Sequence, residues 1–408
     1  MSRTSRWAVA AMAGAALGGT ALPGAATAAG SRSADAELQR ELRRIVRPAG
    51  SRVSVVVRDT RGRRVADVRG GKVRPLGSTA KLFTATAALR RRLVLTTDVL
   101  AAGPIASGVL DGDLVLRGGG DPSLGTPAFT RARGAAGTNG AALTERLVAL
   151  GLREVRGSVV GDESRFDAVR GPVDEYDGVL GGLTWNRGRA GDAGGPLTDP
   201  ARGAAAAFDD QLEARGVVIR GVPRAGATPP GATPVAAITA DAPGLVTPML
   251  KVSDDLYADA LAKALAAAPG APGTTVAGAA AVRAAVRPLG LRPRLADGSG
   301  LSARSRGTAR DLVALLLRAR KGSWGSTLQE ALPMAGTDGT LENRLRSVRG
   351  RCQAKTGNLG RALSALAGQC RSRAGRTLVF AVLVEGQSRA RGSAMVDRVA
   401  TALVRKGR

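Results

Sequence analysis

The chain has 408 residues, 44% of them hydrophobic and 23% charged, so it is long enough for two or three packed domains and reads as globular. A formal charge of +27 favours anionic partners, but three Trp, two Tyr and five Phe spread along the chain are too few for the stacking platforms of a single-strand nucleic-acid binder. Histidine is absent, which excludes a Ser-His-Asp triad, a Cys-His dyad and any His-liganded metal site.

The chain opens with Arg3 and Arg6, an apolar run from Trp7 to Leu22, and Ala26-Thr27-Ala28. This is the form of a secretory leader, with cleavage expected after Ala28 and an exported, extracytoplasmic mature protein. No other apolar stretch is long enough to span a bilayer, so no transmembrane anchor is expected in the mature chain. Leu38, Leu42, Ile45 and Val46 give residues 36–46 a helical period. Residues 53–57 and 64–68 read as strands joined at Asp59-Thr60-Arg61-Gly62. Pro75-Leu76-Gly77 breaks the chain before Ser78, and the apolar run 80–89 predicts a buried helix.

From about Val94 to Ala240 the texture changes to Gly, Pro and turn signals, with short strands at 113–117, 155–161 and 217–220 and a helix over 201–215. Helical texture returns at 245–267 and 308–318. Strands follow near 351–355, 362–369 and 377–384, then a last helix over 393–404.

Without histidine, a hydrolase here needs another base. The chain has only seven lysines, at 72, 81, 251, 263, 321, 355 and 406; the rest of its 60 basic residues are arginine. Arginine holds its proton near neutral pH and lysine can release one, so a lysine kept in such a chain is a candidate base. Lys72, Lys321 and Lys406 are read as chance survivors.

Ser78-Thr79-Ala80-Lys81 stands at the start of the apolar helix, where a spacing of three residues puts hydroxyl and ammonium on one face. Lys355-Thr356-Gly357 lies on an expected strand, where glycine would leave room for a substrate backbone along the edge. Ser253-Asp254-Asp255 heads a helix. Taken singly these are an N-cap serine, a strand lysine and an acidic first turn. Taken in this order they resemble the S-x-x-K, S-D-N and K-T-G set of penicillin-binding proteins and class A β-lactamases.

Further segments sharpen the likeness: Gly112 to Leu124, Gly161 to Asp167, Asp297 to Ser302 and Leu332 to Leu341. Together they resemble the class C low-molecular-mass penicillin-binding proteins, the D-Ala-D-Ala carboxypeptidase/endopeptidase family. The likeness runs over nearly the whole mature chain. Far more chain separates Lys81 from Ser253 than in a β-lactamase, which fits domains inserted there.

That resemblance implies an α+β fold, a β-lactamase-like domain with a five-stranded antiparallel sheet flanked by helices and interrupted by accessory domains. The expected division is a leader at 1–28, peptidase residues at 29–95, insertion at 96–239 and peptidase residues again at 240–408. It also implies a serine carboxypeptidase on peptidoglycan stem peptides, acylated by β-lactams, with no cofactor and no nucleic-acid partner. Ser78 would be the nucleophile, Lys81 its base, and Ser253 a proton relay to the leaving group. Lys355, Thr356, Gly357 and Asp255 would line the substrate, and the backbone N–H groups of Ser78 and Asn358 would form the oxyanion hole.

Two positions depart from the pattern. Asp255 stands where asparagine is usual, and a carboxylate beside Lys81 favours the ammonium and weakens it as a base. A catalytically impaired peptidoglycan-binding homologue is therefore the alternative. Asn358 replaces the usual threonine but keeps its backbone donor. The turn-rich segments 297–302 and 336–341 are read as structural loops. If the strands near Lys355 and 362–370 form a hairpin, Cys352 and Cys370 face each other, and a disulfide worth about 3 kcal/mol is expected, with two free thiols as the alternative.

Overall fold

The computed structural model describes residues 23–132, 137–360 and 362–407. The apolar run of the expected leader, Trp7 to Leu22, lies outside the described residues. Helix α1 (Pro23–Val46) starts before the helix expected from periodicity and buries Leu38, Leu42, Ile45 and Val46. Strands β1 (Val53–Asp59) and β2 (Arg64–Val68) form the expected antiparallel hairpin. Helix α2 (Lys81–Arg90) follows a single 3-10 turn, Gly77–Ala80.

Next come β3 (Val94–Ala102), β4 (Asp113–Arg117), β5 (Val159–Asp162), α3 (Pro200–Glu213) and β6 (Thr233–Asp241). Three helices then lead back: α4 (Ala242–Lys251), α5 (Asp255–Ala266) and α6 (Thr275–Val286). The chain closes with α7 (Ala309–Ala319), β7 (Cys352–Leu359), β8 (Leu363–Arg371), β9 (Thr377–Glu385) and α8 (Arg389–Lys406).

The main sheet is five-stranded and antiparallel throughout, in the order β7-β8-β9-β1-β2. Its central strand β9 is apolar at every inner position because both faces are covered. Val379, Ala381 and Leu383 pack with α2, α4, α5, α6 and α7, while Leu378, Phe380, Val382 and Val384 pack with α1 and α8. This is the α+β architecture anticipated from the motifs. Its ends come from both termini of the chain, and β7, which carries Lys355, is an outer strand.

The residues between α2 and α4 build two further sheets. One runs Arg224–Ala225, β5, β4, β3, β6, and the other joins short strands including Glu154–Val155 and Val218–Ile219. The expected junctions at 95/96 and 239/240 fall inside β3 and β6, which pair with each other from Val94↔Asp241 to Thr233↔Ala101.

Two readings need correction. The strand expected over 155–161 is two strands in different sheets, split where the chain passes close under Gly112 at Gly157. The helix expected over 245–267 is two helices, because Ser253 adopts a left-handed φ of +67° that no helix continues through. Helix α6, rich in small residues, and strands β3 and β6 had no clear periodic signal.

Candidate active site

The turn bearing Ser78 is wedged between two parts of the fold. Gly77 has φ +52°, and a Cβ there would stand 3.1 Å from Leu363 Cδ2 and 3.4 Å from the Asn358 nitrogen, so the turn lies against the outer strand. From the other side, Gly300 has φ +84° and a Cβ on it would sit 2.0 Å from the Gly77 carbonyl oxygen, which no side chain can meet. Gly357 also packs against the serine turn. A Cβ at this position would press on Leu76 O (3.1 Å) and Thr79 Cγ2 (3.2 Å), so its bareness lets the serine turn close on β7.

One turn further on, Lys81 has no solvent exposure. Its Nζ donates to Ser78 Oγ (3.1 Å), to Asp255 Oδ1 (2.5 Å) and to the carbonyl oxygen of Ser299 (2.9 Å). An ammonium has three protons, and here each has a partner. Ser78 itself is half-buried. The first and second motifs, distant in sequence, thus meet at one nitrogen.

Asp255 is the first residue of α5, and Asp254 caps that helix by accepting from the Tyr257 N–H. The segment between α4 and α5 is fixed from the inserted part of the chain, where Arg187 Nη1 donates to Asp254 Oδ2 at 2.6 Å. Tyr176 adds a second tie through its hydroxyl to Asp259 Oδ2 at 2.6 Å, and Asp259 Oδ1 accepts from the N–H groups of Gly298 (2.6 Å) and Ser299 (3.0 Å). Those last contacts aim the Ser299 carbonyl at Lys81. Ser253 is half-buried in the same short loop, two residues from Asp255.

The third motif lies along β7. Lys355 is wholly buried and donates to the Thr356 carbonyl oxygen (3.0 Å), and Thr356 Oγ1 donates to Thr340 Oγ1 (2.9 Å). Asn358 Oδ1 is buried without a hydrogen-bond partner. Cys352 and Cys370 are directly opposed across β7 and β8 and are joined as a disulfide at the far end of the strand from Asn358.

Burial is the main influence on charge here. It raises the Asp255 carboxyl above the usual range, against the opposing pull of Lys81, and it raises Asp259, to which the Asp297 charge adds. It pushes the Lys355 ammonium well below the usual lysine range, and the nearby Lys81 charge pushes it further.

The structure therefore brings Ser78, Lys81 and Asp255 into direct contact, with Gly357 and Asn358 against the serine turn and the Lys355 charge within reach of Lys81. Sequence reasoning missed the Ser299 carbonyl, the Thr340 hydroxyl, and the bracing pair Tyr176 and Arg187. A main-chain oxygen has no sequence signature. Thr340 lies in the turn-rich segment 336–341, whose residues on their own indicate a structural loop.

The pattern of the D-Ala-D-Ala carboxypeptidase 3 (S13) family matches residues 37–177 and 186–406. The chain belongs to this family. As an S13 protein it is a peptidase. It is 27% identical to a D-alanyl-D-alanine carboxypeptidase of an Actinomadura species over 87% of this chain and 81% of that protein. Its fold is similar to penicillin binding protein 4 (dacB) of Haemophilus influenzae, with a TM-score of 0.72 at 21% identity, covering 89% of this chain and 99% of the other. It is also similar to a penicillin G-acylated predatory endopeptidase of Bdellovibrio bacteriovorus, with a TM-score of 0.51 at 16% identity over 86% and 91% of the two chains.

Proposed function

We propose that this S13 protein is a serine D-Ala-D-Ala carboxypeptidase/endopeptidase of peptidoglycan that works through an acyl-enzyme on Ser78 and is acylated there by β-lactams. The observation that carries the reading is the 3.1 Å contact between Ser78 Oγ and the buried Lys81 Nζ, in a chain without histidine. Ser78 attacks the carbonyl of the penultimate D-Ala while Lys81 takes its proton, the terminal D-Ala or a cross-linking amine leaves, and water hydrolyses the ester. The stem peptide runs along the outer strand β7, where Lys355 and Thr356 meet its carboxylate and Asn358 offers its amide. The N–H groups of Ser78 and Asn358 receive the developing oxyanion. Ser253 returns a proton to the leaving group, and Asp255 stands beside Lys81.

The protein acts outside the cytoplasm. The leader, residues 1–28, is removed on export, so the mature N-terminus begins at Ala29. The excess of positive charge suits a wall polymer rich in carboxylates. Residues 96–239 serve as accessory structure around the site.

The test is a fluorescent penicillin with peptide mapping, together with assay of D-Ala release from a pentapeptide. Label on Ser78 and loss of both label and release in Ser78→Ala are expected. The 2.5 Å contact between Asp255 and Lys81 favours one second reading, an impaired homologue that only binds peptidoglycan. That reading replaces the first if the wild-type protein neither labels nor releases D-Ala while Asp255→Asn does both.

A further inference from the structure

The Lys81–Asp255 contact has a consequence beyond weakening a base. With three acceptors around it, Lys81 rests as an ammonium, and an ammonium cannot take the Ser78 proton. It must first lose one of its own. The nearest acceptor able to keep a proton is Asp255 Oδ1 at 2.5 Å, since neither the Ser299 carbonyl nor an asparagine carboxamide binds one near neutral pH.

We propose that Asp255 is a proton store for Lys81, so that the base is made ready inside the site without a proton passing to solvent. This rests on the reading of Ser78 as the acylated nucleophile. The steps balance. One Nζ–H proton moves to Asp255 Oδ1, leaving an amine and a neutral carboxyl. A one-third turn about Cε–Nζ presents the lone pair to Ser78. As Oγ forms its bond to the carbonyl carbon, its proton goes to Nζ, and Nζ then passes a proton through the Ser253 hydroxyl to the departing nitrogen as the C–N bond breaks. In deacylation Nζ takes a proton from water and returns it to Ser78 Oγ as the ester bond breaks. The stored proton goes back from Asp255 to Lys81 at the end, so Asp255 acts on the reaction through Lys81 and positions its proton.

The surroundings fit such a store. Asp255 lies largely out of solvent, and burial favours its neutral form. The charged or titratable groups that face it are Lys81 on α2, Lys355 on β7, Asp254 beside it and the Tyr176 phenol from the inserted part. Arg187 neutralises Asp254, which leaves the Lys81–Asp255 pair to share its proton as a unit. Lys355 is common to wild type and variant, so any limb it adds to a pH profile appears in both.

The experiment is the pH dependence of the acylation rate with a fluorescent penicillin, for the full mature chain and for Asp255→Asn, each normalised to the fraction that labels. In wild type the transfer within the pair is independent of pH, and a flat rate through the neutral range is expected, falling only in acid, where the pair gains a second proton and the Asp255 carboxylate can no longer accept one from Lys81. In Asp255→Asn the proton must go to solvent first, and the rate should climb roughly tenfold per pH unit through the same range. Coincident slopes for the two proteins overturn the proposal. The wild-type profile suffices if the variant does not fold, because a tenfold rise per unit in wild type overturns it as well. Absence of label on Ser78 at every pH is a different result, and it removes the nucleophile reading on which the store rests.

Discussion

Of the three lysines that lie wholly out of solvent, two are each held by an aspartate at 2.5 Å, Lys81 by Asp255 and Lys263 by Asp167. The pairs are alike in charge and distance. Their other partners differ. Lys263 also donates to the Val169 carbonyl oxygen (2.8 Å) and sits 5.7 Å over the Phe166 ring, so it pins residues 166–169 of the inserted part onto α5. Lys81 has a serine hydroxyl in that place. A buried lysine–carboxylate pair is thus not a site in itself; the group that completes it decides between a clamp and a base.

The largest expected effect tests that contrast at the base. Lys81→Met should lower acylation of Ser78 about a thousandfold or more, the loss associated with a general base, and a rate within tenfold of wild type would erase the distinction. At the clamp, Lys263→Met should leave acylation of the folded protein within a few-fold. It should cost roughly 3 kcal/mol in denaturant melts, the low end for a broken buried pair, since Asp167 keeps some solvent contact. An unchanged melt with lost acylation would reverse the two roles.

A smaller loss is expected from the brace on the outer strand. Replacing both Cys352 and Cys370 by serine should destabilise the protein by about 2–3 kcal/mol, read as a lower melting temperature. The least effect concerns Lys355. Its folded-state pKa lies well below that of the unfolded chain, so as pH falls from the ordinary lysine range the unfolded state gains this proton first and stability declines. Lys355→Met should flatten that part of the pH–stability curve, and urea melts at pH 7 and pH 10 would show it; a slope equal to wild type would mean the Lys355 charge is matched in the fold.

The same contrast marks how far the sequence could be read. Lys263 and Lys81 look equally plausible as isolated letters on helices. Lys81 stood out because Ser78 is three residues away, a spacing that any helix converts into contact. The cysteine pair was similarly accessible, since alternate strand residues in a hairpin meet at a register that can be counted. The motif resemblance puts Asp255 near Lys81, but the residues alone do not, because its place there depends on a left-handed residue at 253 that ends α4 and aims α5.

The fold class came from the resemblance that the ordered motifs carry, whereas local pattern was enough to mark the two short motifs around serine and lysine and the strand pair that carries the disulfide. Those motifs and that strand pair follow from neighbours within a few residues or across one turn. Tertiary structure alone decided that Ser299 lends its carbonyl, that Gly300 abuts Gly77, that Gly357 makes room for the serine turn, and that Lys263 takes Asp167. Each of those contacts joins segments far apart in the chain, and such contacts are set by how helices and sheet pack against each other, which no short window of residues encodes.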